Sequence, residues 1–431
     1  MSVPTPAVLH RLRTLPAAEL PAYLYDLVAL RDHTAAIRSA LPDAVELYYA
    51  AKANPEPEIL AALAGIVDGF EVSSGGELAH VAAAAPAAPL AIGGPGKTYQ
   101  ELAAALDHRV HRIHVESETE LRMLSALAAT RAEEPADVLL RVNLPVTGAA
   151  VANSALTMGG RPTPFGMDPR RAYTLAADLV AGRYPGVSWR GVHAHLASGL
   201  NAADLLTLAE SIITWSQAVA QRCGVDLDEV NLGGGMNVDY RPGAPLFDWT
   251  TYGDGLARIT ETWPRLQLRI EPGRAVSAYC GWYATEVLDV KPSHGTEFAI
   301  IRGGTHHLRT PAAKGHDQPC TIVPIDTWPH QWPRPTATGS TITITGQLCT
   351  PKDILARNVP AEDLQAGHRL AFGLAGAYAW NISHHKFLMH PPPSFHFLDT
   401  DHDTHEQCNT TDTNSHNCTG ADRQDPNDSR I

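Results

Sequence analysis

Eight short apolar runs punctuate the first 271 residues, at 45–51, 67–72, 90–93, 112–116, 137–142, 190–196, 229–233 and 267–271. They are rich in β-branched and aromatic side chains, and most are separated by Ala/Leu-rich stretches with helical spacing. Strands alternating with helices predict parallel βαβ units, and eight of them can close a barrel. From about residue 276 the texture changes. The runs 282–290, 297–301, 320–325 and 340–345 are strand-like without long helical intervals, which predicts an antiparallel β domain. The segment 23–26 is expected to add a strand to it. The reading is an α/β protein: residues 1–27 contribute to the β domain, 28–275 form a (β/α)8 barrel, 276–398 form the β domain, and 399–431 form a tail.

The tail holds eight acids, two arginines and almost no large apolar residues, so it is expected to be disordered. It supplies −6 of the chain's net −13. An acidic chain without a basic stripe argues against nucleic-acid and anionic-membrane partners. No run is long enough for a membrane span and no signal-peptide layout opens the chain, so a cytoplasmic location is expected. The six cysteines (223, 280, 320, 349, 408, 418) are scattered without a CxxC pair. They suggest neither a disulfide framework nor zinc, and the tail histidines have no compact metal spacing, so no metal is expected.

Barrel chemistry gathers where strands end on one face. Those ends read Lys52, Ser73-Ser74-Gly75-Gly76-Glu77, Gly94-Pro95-Gly96-Lys97, Glu116-Ser117, Arg141, His195-Leu196-Ala197-Ser198, Gly233-Gly234-Gly235 and Glu271-Pro272-Gly273-Arg274. Lys52 is one of only six lysines against 27 arginines. At a half-buried strand end it is either a Schiff-base lysine activated by desolvation or a side chain that reaches to solvent. The seven companion ends favour the first. Gly233, Gly234 and Gly235 let backbone N–H groups approach an anion such as phosphate, which Ser198 and Arg274 are placed to join. Glu271 leaves an apolar strand and needs a partner. Either Arg274 supplies it, or the carboxylate meets a pyridine nitrogen. His195, one strand away, is placed to stack on such a ring.

This set resembles the fold-type III pyridoxal-phosphate decarboxylases, which include diaminopimelate and ornithine decarboxylases and share the alanine-racemase barrel. The resemblance covers roughly residues 20–397 and rests on Tyr49-Ala50-Ala51-Lys52-Ala53-Asn54, Ser74-Gly75-Gly76-Glu77-Leu78, His195-Leu196-Ala197-Ser198, the glycine run and Glu271-Pro272-Gly273-Arg274. It implies pyridoxal 5'-phosphate as cofactor, Lys52 as its Schiff base, His195 on the ring and Glu271 on the pyridine nitrogen. Ser198, the three glycines, Arg274 and Tyr378 would lie at the phosphate. The segment Gly346-Gln347-Leu348-Cys349-Thr350-Pro351-Lys352-Asp353 resembles the family's cysteine loop. By that likeness Cys349 donates the proton that replaces CO2, Asp353 faces substrate, and the loop acts in the other subunit of a homodimer.

The match departs from the diaminopimelate enzymes at Thr350, where they carry a glutamate for the distal amine, and at Arg309-Thr310-Pro311-Ala312-Ala313, which lacks their tyrosine. Glu71 stands where ornithine-type enzymes carry aspartate. Better fits to the siderophore-biosynthesis subgroup are the segment 158–166, Gly303-Gly304-Thr305-His306-His307 and Trp380-Asn381-Ile382-Ser383-His384-His385. That likeness implies an amino acid already coupled to a polycarboxylate such as citrate. Arg141, Arg161, His306, His307, Arg309, His384 and His385 would offer positive or donor groups to it. The alternatives are a decarboxylase of free diaminopimelate, lysine or ornithine, and a non-catalytic cofactor carrier, which would need neither the cysteine loop nor the second domain.

Overall fold

The computed structural model describes residues 3–131, 134–145, 156–157 and 159–399. Strand β1 (Ala22–Asp26) precedes the barrel. All eight predicted runs then form strands: β2 (Val45–Ala50), β3 (Gly69–Val72), β4 (Leu90–Ile92), β5 (Arg112–Val115), β6 (Ala136–Arg141), β8 (Val187–His193), β10 (Glu229–Asn231) and β11 (Gln267–Ile270). They close a barrel in the order β10-β11-β2-β3-β4-β5-β6-β8, every pairing parallel. A short antiparallel ribbon of β7 (Leu156–Thr157) and β9 (Ala197–Ser198) lies between its units.

The barrel strands read as nearly continuous apolar runs because both their faces are covered. Leu47, Tyr49, Phe70, Val72, Ile92, Val115 and Leu140 pack with Leu30, Ile37, Leu63, Leu78, Leu102 and Leu121 from the helices in one buried cluster. The strand-to-helix corners are fixed by capping. Ser74, Ser117 and Asn201 each accept a hydrogen bond from the backbone N–H three residues on, and Thr98 with Glu101 forms a complete capping box. These corners occupy the carboxyl ends of the strands, so the caps hold the same loops that carry the candidate chemistry.

The opposite end of the barrel is closed by charge. Arg269, fully buried, pairs with Glu46 at 2.5 Å and Glu229 at 2.8 Å, while Arg112 reaches Glu229 at 2.6 Å. The Arg269 guanidinium also lies 4.1 Å from the centre of the Tyr48 ring.

The second domain contains β12 (Gly281–Ser293), β13 (Thr296–Ile301), β14 (Cys320–Val323), β15 (Thr341–Thr345), β16 (Ile354–Pro360), β17 (Arg369–Phe372) and β18 (Ser394–Leu398), with β1 joining their sheet. Most pairings are antiparallel, but β1 with β18 and β13 with β15 are parallel, so the sheet is mixed. Its last three strands lie outside the predicted runs. Aromatic pairing explains why β18 holds: Phe395 and Phe397 stack on Tyr23 and Tyr25 of β1, with ring centres 5.7 and 5.4 Å apart. Residues 400–431, nearly all of the expected tail, and Met158 of the quoted 158–166 segment lie outside the described residues.

Candidate active site

Lys52 occupies a single 3-10 turn (Ala51–Ala53) directly after β2. The second domain clamps this turn with three hydrogen bonds. Asn381 Nδ2 donates to the Lys52 carbonyl at 2.8 Å, the Tyr378 N–H to the Ala53 carbonyl at 2.7 Å, and Asn54 Nδ2 to the Gly376 carbonyl at 3.0 Å. The lysine Nζ lies 2.5 Å from Glu71 Oε2, and Ser73 Oγ donates to Glu71 Oε1 at 3.0 Å. Burial works against the ammonium, but the Glu71 carboxylate, with Tyr378 and Glu271 further off, outweighs it and holds the lysine above its ordinary pKa. The expectation of a lysine activated by desolvation is therefore corrected. In this state the amine is a charged partner of Glu71, and it must lose a proton before it acts as a nucleophile.

His195, Ser198 and the glycine run form one unit. The Gly234 N–H donates to His195 Nδ1 at 3.0 Å, and His195 Nε2 lies 3.2 Å from Ser198 Oγ. Burial, then the positive charges of Arg141 and Lys52, push the imidazole down to about 3. It is therefore neutral, with Nδ1 accepting and the proton on Nε2. Gly233 and Gly235 have φ of 67° and 103°. A side chain on Gly233 would come within 2.8 Å of His195, and one on Gly235 would strike the Ala197 carbonyl. Only glycine fits this tight approach, and the backbone cradle it leaves suits an anion.

Glu271 is buried but does not pair with Arg274 among the described residues. Its Oε1 accepts from Asn231 Nδ2 at 2.6 Å, and Asn231 Oδ1 in turn accepts from the Gly233 N–H at 2.9 Å. Its Oε2 accepts no hydrogen bond among the described residues, which suits a protonated ring nitrogen as partner. Arg274 instead donates to Tyr240 Oη at 2.6 Å and lies 4.5 Å from the Tyr378 ring centre. It thereby stays free of carboxylates for a phosphate. The residues present fit pyridoxal phosphate.

Behind Glu271 stand two histidines that strand patterning did not single out. His114 of β5 and His193 of β8 stack 4.3 Å apart with rings 16° from parallel, and burial holds both well below the usual imidazole range. With Glu271 they place ligand-type atoms within 4.8 Å of one another. Two parallel rings at that spacing cannot aim both in-plane lone pairs at one ion, so the trio is not a metal site.

The expected substrate groups fall in different places. Arg141 is buried, paired to Glu116 at 2.5 Å and set over Phe165. Glu116 Oε2 also accepts from the Gly166 N–H, which fastens the 159–166 loop beside it. His306 and His307 are not cationic anchors. Both are fully buried, and desolvation pushes them down to about 4 and about 3. His307 is further held between Tyr283 Oη and the Pro391 carbonyl. Arg309 keeps its guanidinium near the surface, where among the described residues it hydrogen-bonds the Ile382 carbonyl at 3.4 Å. Asp353 does not face a substrate. It is buried and accepts from the Thr305 N–H and hydroxyl (2.6 and 2.7 Å) and the Leu348 N–H (2.8 Å), stapling the cysteine loop to the 303–305 turn. Cys349 projects from that stapled loop as an exposed free thiol.

The pyridoxal binding domain of the pyridoxal-dependent decarboxylases matches residues 27–278. The chain is 37% identical over 379 residues to the 2-[(L-alanin-3-ylcarbamoyl)methyl]-2-hydroxybutanedioate decarboxylase of Staphylococcus aureus, covering 87% of this chain and 93% of that one. It is 28% identical over 371 residues to a diaminopimelate decarboxylase of Aquifex aeolicus, covering 85% and 83%. Among solved structures, the diaminopimelate decarboxylase of Helicobacter pylori complexed with L-lysine shares the fold with a TM-score of 0.76 at 22% identity, covering 88% and 91%. The chain belongs to the pyridoxal-phosphate-dependent decarboxylases of the alanine-racemase-like fold. It is a carboxy-lyase whose cofactor is pyridoxal phosphate. No helix among the described residues is long and apolar enough to cross a membrane.

Proposed function

We propose that this decarboxylase removes the α-carboxylate of an amino acid joined through its side chain to a hydroxy-polycarboxylate, such as citryl-diaminopropionate in siderophore assembly. The carrying observation is the 37% identity to the staphylococcal enzyme, whose name describes an alanine unit amide-linked to a hydroxydicarboxylate, against 28–30% for the diaminopimelate decarboxylases. Thr350 after Cys349 supports it, because a neutral hydroxyl offers nothing to a distal ammonium. Arg309, with His384 and His385 on the neighbouring 380–390 segment, offers donors to a polyanionic tail.

When bound, the cofactor supplies an electron sink for the electrons left as the carboxylate departs. Lys52, once its amine has lost its proton and left Glu71, its partner at 2.5 Å, would anchor it. Glu271, fixed by Asn231, holds the proton on the ring nitrogen. The neutral His195 presents a flat face without adding charge, and the 233–235 backbone with Arg274 takes the phosphate. Cys349, from a second copy of the chain in a homodimer, returns a proton to the carbon that lost CO2. Within its own chain it is displayed outward by the loop that Asp353 staples.

The test is a competition. Protein loaded with pyridoxal phosphate is offered citryl-diaminopropionate, meso-diaminopimelate, lysine and ornithine together, and the products are read by mass spectrometry. Loss of CO2 from the citryl conjugate alone is expected. Preferential loss from a free amino acid would overturn the substrate reading and leave the chemistry intact.

A further inference from the structure

Glu271 is served unequally on its two oxygens. Oε1 is saturated by Asn231, whereas the approach to Oε2 from inside the barrel is His193 Nε2 at 3.5 Å. Among the described residues, both ring nitrogens of His193 are buried without a hydrogen-bond partner, and so is His114 Nδ1. A buried donor left unpaired is costly, so a pair of orphaned nitrogens beside a carboxylate calls for an explanation. Asn231 Nδ2 also approaches His114 Nε2 at 3.4 Å, which makes that nitrogen an acceptor and leaves the His114 proton on Nδ1. His114 is thus no donor to Glu271. Its role toward His193 is to fix the plane of that ring by stacking.

We propose that His193 is a positioning residue for the cofactor's ring nitrogen: its Nε2–H, aimed at Glu271 Oε2 by the stacked His114, keeps the proton between carboxylate and ring on the ring. The inference rests on Glu271 being the ring-nitrogen partner. Its physical basis is that an N–H dipole aimed at a carboxylate from 3.5 Å lowers that carboxylate's basicity even short of a full hydrogen bond. A ring nitrogen facing it then retains its proton and remains an electron sink. Without the His193 donor, Glu271 gains basicity and draws the proton across. A neutral imidazole suits the task better than an ammonium or guanidinium. A full positive charge there would compete with the protonated ring itself.

The experiment is nitrogen NMR of the holoenzyme reconstituted with cofactor labelled at the ring nitrogen. Wild type is expected to show a protonated ring. His193→Phe, which keeps an aromatic ring for the stack but removes the donor, should move the signal toward the unprotonated ring and lower kcat by about tenfold. His193→Gln retains an N–H and should restore both. A protonated ring in His193→Phe would overturn the proposal. Glu271→Gln separates the two layers: if it too leaves the signal unmoved, the assignment of Glu271 fails. If it moves the signal while His193→Phe does not, only the role of His193 fails. A second measurement needs no variant. Wild-type holoenzyme with labelled imidazoles should show His193 as the Nε2–H tautomer, and the Nδ1–H tautomer would equally refute the proposal.

Discussion

The two ends of the barrel are made by the same eight strands yet settle their buried charges in opposite ways. At the amino-terminal end, Arg112, Glu229, Arg269 and Glu46 form ion pairs at 2.5–2.8 Å, and Tyr48 covers the guanidinium. At the carboxyl end, peripheral charges are also paired, as in Arg141 with Glu116 and Lys97 with Glu120. The centre is different: among the described residues the His193 nitrogens lack hydrogen-bond partners, and Lys52 holds a carboxylate while its side chain stays 44% exposed. The same buried polar chemistry is architecture where opposite charges pair off, and a binding site where groups are left facing a shared space.

Breaking the open end should cost activity before stability. Lys52→Ala removes the proposed anchor for the cofactor carbonyl, so decarboxylation should fall by at least about a thousandfold. The visible absorbance of bound cofactor should be lost on dialysis. A variant that stays yellow would remove Lys52 from this role. Cys349→Ala sharpens the same end. It should retain cofactor yet lose product or divert it to transamination by-products, and unchanged turnover would dismiss the thiol.

Breaking the closed end should do the reverse. Arg269→Met leaves Glu46 without its partner and Glu229 with Arg112 alone, and should lower unfolding free energy by about 3–5 kcal/mol, read by urea titration of the apoenzyme. The double variant Arg269→Met with Glu46→Leu removes the carboxylate left unpaired and should recover part of the loss. If the single variant melts like wild type, the network is not what holds that end.

Acid exposes the second domain. His307 titrates near 6.5 when unfolded and is pushed down to about 3 when folded, so between those pH values the unfolded chain binds the extra proton. Stability from its burial is present above pH 6.5 and is lost as pH falls, at about 1.4 kcal/mol per pH unit. The slope of unfolding free energy between pH 6 and about 4 should flatten by roughly that much in His307→Phe, whatever the variant does at neutral pH. An unchanged slope would mean the ring is charged in the fold.

Much of the barrel was legible because each strand is an apolar run stopped by a polar or glycine residue, and a run with that stop announces both element and site. Lys52, His195, the glycines, Glu271 and Arg274 were all visible as stops. Glu71, His114 and His193 were not. They sit inside strands, where one polar letter among apolar ones does not reveal whether its side chain meets a ligand or another core atom. Asp353 and the 306–307 pair misled for a different reason. Polar residues in loops suggest solvent or substrate, and nothing local reports that Tyr283, Trp380 and the cysteine loop fold over them. The strands β16 to β18 escaped notice because their patterns are polar or short, and β18 is completed only by β1, some 370 residues earlier.

The smallest effect is expected from deleting residues 399–431. That segment carries −6 against about −7 for the rest of the chain, so its removal nearly halves the negative charge a polyanionic substrate meets. At physiological salt, where screening acts over about 8 Å, kcat and kcat/KM for the citryl conjugate should change less than about twofold. At ionic strength near 0.01 M, where it acts over about 30 Å, kcat/KM should rise in the truncated protein while kcat stays fixed, because association is what the repulsion slows. Steady-state rates at the two salt concentrations decide it. A drop in kcat at either would give the segment a part in the chemistry, and an effect on kcat/KM that survives high salt would make it a contact rather than a field.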